Sequence, residues 1–97
     1  MTDVVAAAIV LHPADDVAVL VVPVATGDGV AVRGAQAGLM LIAGATLASG
    51  HKLALRDLEA GHEVRKYGEV IGRLTAPVSA GDHVHVHNLK SLRGHTG

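Results

Sequence analysis

Three histidines alternate with two valines in the run Gly81-Asp82-His83-Val84-His85-Val86-His87-Asn88. Imidazole exchanges its proton near neutral pH and is a common metal ligand, so these are the residues best able to do chemistry. Alternation with period two is a strand signature, which predicts a final strand from Val84 to Leu89 with the three imidazoles on one face and Val84 and Val86 packed inward. Residues i and i+2 of a strand lie roughly 6.7 Å apart, so two imidazoles can reach one divalent ion at about 2.0–2.1 Å from each nitrogen. All three span roughly 13 Å of straight strand, too far for one ion, so at least one needs another role. The bland alternative is a solvated row on an exposed strand face.

Other residues could join this row. Gly50-His51-Lys52 sets an imidazole and an ammonium directly after a glycine, where acid/base work or anion binding is open to them, as is a plain solvent-facing turn. Lys66-Tyr67-Gly68 holds the only aromatic residue, expected as the core's one ring, with a phenol reaching substrate as the alternative. His12-Pro13-Ala14-Asp15-Asp16 offers an imidazole and carboxylates to a cation, although such segments are more often only turns. His62 and His95 are expected to be inert. The sequence has no glycine-rich phosphate loop, no Gly-x-Ser-x-Gly elbow and no His-Glu-x-x-His pair.

The elements that must position these residues are marked by an internal repeat. Val24-Ala-Thr-Gly27-Asp-Gly-Val30, Leu47-Ala-Ser-Gly50-His-Lys-Leu53, Leu58-Glu-Ala-Gly61-His-Glu-Val64 and Val78-Ser-Ala-Gly81-Asp-His-Val84 share one template. An aliphatic residue stands three before a glycine, a small residue just before it, Asp or His just after it, and Val or Leu three after it. Each copy reads as a corner: a tight turn at glycine, with aliphatic residues on both sides returning to the core. The second corner, at Gly50, is expected to bring His51 and Lys52 alongside the strand launched by the fourth, at Gly81. Four corners joined by short strands make a mainly β fold with at most short helices. Met1 to Leu11 fits either a strand or a short buried helix, Val17 to Val24 a strand buried on both faces, and Leu39 to Ile42 a strand-like run beside glycines that count against a long helix.

Composition narrows the functional classes. Ninety-seven residues make one domain, expected over 1–89 with a frayed tail over 90–97. That size suits a single core but not a deep private cleft. A net charge of −1 and a single aromatic residue leave neither an electrostatic footprint nor a stacking platform for nucleic acid. The absence of cysteine removes disulfides, thiolate metal sites and cysteine nucleophiles. The apolar runs 4–11 and 17–25 are each far short of the roughly 20 residues of a membrane span, and with Asp3 near the start a cytoplasmic protein is expected.

Four ordered motifs carry a resemblance. Gly50-His-Lys-Leu-Ala-Leu-Arg-Asp-Leu-Glu-Ala-Gly61, Lys66-Tyr-Gly68 with Val70-Ile-Gly72, and Ala80-Gly81-Asp-His-Val-His-Val-His-Asn-Leu89, preceded by Leu11-His-Pro-Ala-Asp-Asp-Val-Ala-Val19, resemble the small N-terminal domain of the altronate/galactarate dehydratase family. The stretch 25–49 departs most, being longer and richer in Ala and Gly than the family's link, and Asp16 stands where the family commonly has asparagine. The resemblance implies a SAF-type β-clip fold and a carbon–oxygen lyase that dehydrates a sugar acid. It further implies a divalent metal (iron, manganese or magnesium) and a large catalytic subunit that shares it. Sulfolactate sulfo-lyase relatives imply a sulfonated hydroxy acid instead, with sulfite as the leaving group. On this resemblance the expected catalytic residues are His51, His85 and His87, and the expected substrate contacts are Lys52, Lys66, Tyr67 and Asn88. The expected metal ligands are His85, His87 and His12; family members often carry other residues where this chain has His83. The competing class is a non-catalytic module that binds a carbohydrate or a partner, and a homodimer of the isolated chain is a further expectation.

Overall fold

The computed structural model describes residues 4–91. Nine strands follow one another: β1 Val4–Val10, β2 Val17–Leu20, β3 Gly29–Gly34, β4 Met40–Ile42, β5 Lys52–Ala54, β6 Glu63–Lys66, β7 Glu69–Leu74, β8 His83–Val84 and β9 Leu89–Ser91. There is no helix among the described residues, and hence none long and apolar enough to cross a membrane. The mainly β reading of the sequence holds. The ambiguous opening run is a strand, and the glycine-rich stretch after β3 is a hairpin into β4.

The strands form a six-stranded sheet of order β4-β3-β1-β2-β5-β8 and a three-stranded sheet of order β6-β7-β9. Every pairing is antiparallel except β1 with β3. One face of the large sheet buries Ala8, Val10, Ala18, Leu20, Val30, Val32, Leu41 and Leu53 in a first apolar cluster. The opposite face contributes Val17, Ala54 and Val84 to a second cluster, closed by Val64 and Leu74 from the small sheet and by Leu58 and Val78. With no Phe or Trp, both clusters are built from small aliphatic units, as the composition requires.

The four corners are present, with φ of 91°, 89°, 87° and 88° at Gly27, Gly50, Gly61 and Gly81. They join in pairs. Val24 and Leu47 exchange both backbone hydrogen bonds at 2.9 Å, and Leu58 and Val78 do the same. The Asp of the template also has a purpose: Ala25 N–H donates to Asp28 Oδ2 and Ser79 N–H to Asp82 Oδ2, each at 2.8 Å, which closes the turn on itself. Gly81 is the most constrained corner, since a Cβ there would stand 2.0 Å from the carbonyl oxygen of Ile42.

Several expectations are corrected. The strand predicted through Val84 to Leu89 stops at Val84, and residues 85–88 form a turn. Val86, expected to pack inward, is 70% exposed. Tyr67 is not the core's ring but lies 52% exposed at the tip of the β6–β7 hairpin. The strand expected over 17–24 ends at Leu20, leaving Val21 and Val22 exposed. Lys90 and Ser91, expected in the tail, pair in β9 with Arg73 and Gly72, and residues 92–97, with His95, lie outside the described part.

Candidate functional site

Two corners deliver the central pair of imidazoles. β5 and β8 pair in the register Lys52↔Val84 and Leu53↔His83, so His83 leaves the sheet on the side of Leu53, the side of the first cluster. His51 directly precedes β5 and is tied to β2, because Leu20 N–H donates to its carbonyl at 2.9 Å. The rings meet with His51 Nδ1 and His83 Nε2 2.9 Å apart. One nitrogen must donate and the other accept, so at least one ring has a bare lone pair in this contact.

The turn after β8 gathers the other two. Asn88 is buried and spends its side chain on backbone: its Oδ1 accepts from His85 N–H at 2.9 Å and its Nδ2 donates to the carbonyl of His83 at 2.8 Å. Its own N–H closes the turn on the carbonyl of His85. This local bonding competes with strand continuation, and β5, only three residues long, offers no further ladder to hold one. The chain must also cross to the small sheet, where β9 pairs with β7. The alternating run therefore folds back instead of extending. His85 stacks on His83 with centroids 5.2 Å apart and planes 12° from parallel, and His87 lies 5.2 Å from His83. The rings of His51 and His85 meet edge-on at 5.5 Å.

The outcome is a group of three imidazoles, His51, His83 and His85, whose ligand nitrogens all lie within 4.8 Å of one another. His83, set aside on the resemblance, is its centre. Partial burial pushes its pKa down to about 4, helped by the positive charges that His51, His85, His87 and Lys52 would carry. At neutral pH His83 is thus uncharged, the form that binds a metal or takes a proton. Beside it, Lys52 has a lowered pKa, first through burial and then through the charge of Lys66. Lys66 in turn places Nζ 4.8 Å from the centroid of the Tyr67 ring.

The donor set can be weighed against the metals implied above. Nitrogen donors suit iron, zinc, copper and nickel, whereas magnesium demands oxygen. Two cis ligands at about 2.1 Å from an octahedral ion stand roughly 3.0 Å apart, close to the separation of His51 Nδ1 and His83 Nε2. The three rings fit an iron-type ion and do not fit magnesium.

Of the other predicted residues, His12 lies in the turn that enters β2, at the opposite end of that strand from His51. Its Nδ1 accepts from Ala14 N–H at 3.0 Å and its ring packs on Gly68. Asn88 shapes the turn rather than facing a ligand. His62, expected on a wet surface, is half-buried with Nε2 3.1 Å from Asp16 Oδ2.

The sequence reading missed what the two adjacent aspartates do. Both are buried. Asp15 accepts the N–H groups of Tyr67 at 2.9 Å and Gly68 at 2.8 Å, while Asp16 accepts Arg65 N–H and pairs with the Arg56 guanidinium. The available signal was two neighbouring carboxylates beside apolar strands, where charge must be paired to be buried at all.

Comparison with known proteins agrees with this architecture. Residues 6–92 match the family model described as the altronate/galactarate dehydratase SAF domain. The chain is 37% identical over 97 residues to the (2R)-sulfolactate sulfo-lyase subunit alpha of Chromohalobacter salexigens, an alignment covering 87% of this chain and 94% of that one. It is 47% identical over 53 residues to the subunit of the same name from Paracoccus pantotrophus, covering 55% of this chain and 79% of that one. Against the altronate dehydratase of Escherichia coli it is 40% identical over 81 residues, 84% of this chain but 16% of the dehydratase.

Proposed function

Because the chain belongs to the altronate/galactarate dehydratase SAF domain family, we propose that it is the small subunit of a lyase that eliminates a β-substituent from a 2-hydroxy acid. The observation that carries this reading is the convergence of His51, His83 and His85 at the β5–β8 edge of the six-stranded sheet. Three imidazoles are half of a site. A large catalytic chain closing over that edge supplies the remaining walls and the binding groups for the acid.

In the elimination the proton on C2, next to the carboxylate, is removed, its electron pair forms a C2–C3 double bond, and the group on C3 leaves with its own pair. The enol left at C2 then becomes a 2-keto acid. An iron-type ion held by His51, His83 and His85 would supply Lewis acidity toward the carboxylate and hydroxyl oxygens of the acid. His87, outside that group but against His83, is the imidazole left to accept or return a proton. Lys52, whose charge acts on His83, adds positive charge beside the cluster, where an anionic acid is drawn in, and Lys66 stands near Lys52.

The relatives include both a (2R)-sulfolactate sulfo-lyase subunit alpha and an altronate dehydratase, at 37% and 40% identity. Sulfite is the leaving group in the first reading and water in the second. The test is reconstitution with the large subunit, following keto-acid formation and sulfite release from sulfolactate and altronate in parallel. The expected result is turnover by the pair, none by this chain alone, and a loss of about 100-fold or more in His83→Ala and His87→Ala. Unchanged activity in both variants would establish the competing module that only binds or assembles.

A further inference from the structure

The face of the six-stranded sheet that carries Val17, Ala54 and Val84 is roofed by the small sheet only over its β5–β8 end. Beyond Val19 the same face continues across β2, β1, β3 and β4 with no cover among the described residues. Its composition follows from the register. One row runs Met40, Ala31, Ala7, and Val21 extends it, with its N–H bonded to the carbonyl of Ala7. The next runs Arg33, Ile9, Val19. Ile42, opposite Gly29, closes the far corner. Val4 lies on the other side of Gly29 in that row; all but Arg33 are apolar or small, and Val4, Ile9, Val21, Met40 and Ile42 are exposed.

We infer that this face is the contact between two copies of the chain, related by a two-fold axis. Its relief is self-complementary: Ala7 and Ala31 form a shallow floor between the ridge of Met40 and Ile42 and the ridge of Ile9, Val19 and Val21. A two-fold places the Met40 ridge of each copy on the alanine floor of the other, the isologous arrangement of most homodimers. The apolar area also comes close to what a dimer needs. The exposed fractions of the five larger residues leave on the order of 400 Å² of apolar surface. A standard interface buries about 800 Å² per partner, roughly 60% of it apolar. A second copy is favoured over the large subunit because the imidazole edge, which the proposed function gives to that subunit, opens on the other face of the sheet. This last step rests on that reading; the measurement below does not.

Sedimentation of the full chain from micromolar to about 100 µM should give twice the 9.8 kDa monomer mass. Met40→Glu and Ala31→Arg should each weaken the dimer at least thirtyfold, about 2 kcal/mol, with an unchanged far-UV circular dichroism spectrum. Val86→Glu, on the exposed turn beside the cluster, should leave it intact. A wild-type chain monomeric at about 100 µM would overturn the inference, and so would a dimer untouched by both substitutions. A monomer in which Met40→Glu blocks capture of the large subunit would overturn it too, by giving the face to that partner.

Discussion

Asp15→Asn tests whether a buried carboxylate holds the β6–β7 hairpin in the shape that displays Tyr67 and Lys66. Tyr67 is the one non-glycine residue with positive φ among the described residues, at 56°, and Gly68 follows at 78°. The pair is a two-residue turn of the type matched to strand twist, but a tyrosine there is strained by about 1 kcal/mol. The Asp15 carboxylate compensates by accepting both turn N–H groups at 2.9 and 2.8 Å. Hydrogen bonds to a charged acceptor contribute about 1.5–3 kcal/mol each, and asparagine can keep one while setting its NH2 against the other donor. The expected destabilisation is therefore about 2 kcal/mol, a fall in Tm on the order of 10 °C for a domain of this size. Urea unfolding followed by circular dichroism measures the loss. Hydrogen exchange at the Tyr67 and Gly68 amides localises it, since those two should lose protection while the β2–β5 ladder keeps its own. A loss below about 0.5 kcal/mol with unchanged exchange at both amides would refute the assignment.

Three further outcomes are expected. With a chelator present, His83 should make stability depend on pH: its folded pKa of about 4 lies below the unfolded value of 6.5, so the unfolded chain binds the proton first, and stability falls as pH drops from about 6.5 to 4. Thermal scans of wild type and His83→Gln should show that slope reduced in the variant, and equal slopes would contradict it. Ferrous or zinc ion at about a hundredfold excess over its Kd should stabilise the chain by about 2.7 kcal/mol. His83→Ala should abolish this shift and His12→Ala preserve it, and equal loss in both would remove the three-imidazole site. Finally, Gly61→Ala and Gly81→Ala change the same position of the repeat in different surroundings. The first has open space around its new Cβ and should cost about 1–2 kcal/mol from positive φ alone. The second meets the Ile42 carbonyl oxygen at 2.0 Å and should cost more than about 3 kcal/mol or prevent folding, as read from denaturation midpoints.

What was legible in the sequence was what local chemistry dictates. The corners could be read because glycine at positive φ, a small neighbour and flanking aliphatics are all requirements of one turn, repeated four times. The strand class followed from a core with no large rings. The His-Val alternation misled because period two states only that a segment is able to be a strand; whether it is one depends on a partner. β5 ends after three residues, and Asn88 three positions beyond His85 bonds back to the chain. Tyr67 misled for a related reason: as the only ring it looked like core material, but Asp15, 52 residues earlier, fixes the turn that exposes it. Long-range bonds of this kind leave no trace in spacing.

The error about the strand changes the chemistry that the histidines can do. A straight strand would have spread His83, His85 and His87 over a distance that no single ion bridges. Folding the run back at Asn88 stacks them, and the Gly50 corner adds His51 from a neighbouring strand, so convergence is a product of the turn and not of the ladder. The cluster then has two halves of different stiffness. His51 and His83 are anchored at the β5–β8 junction, whose corner glycines bond into the sheet at 2.8 Å, Gly50 N–H to Leu20 and Gly81 N–H to Ala54. His85 and His87 hang from a turn held by one asparagine. A preorganised pair next to an adjustable pair suits a site that another surface completes, because the fixed imidazoles define where the substrate's acid group must lie while the turn accommodates the incoming wall.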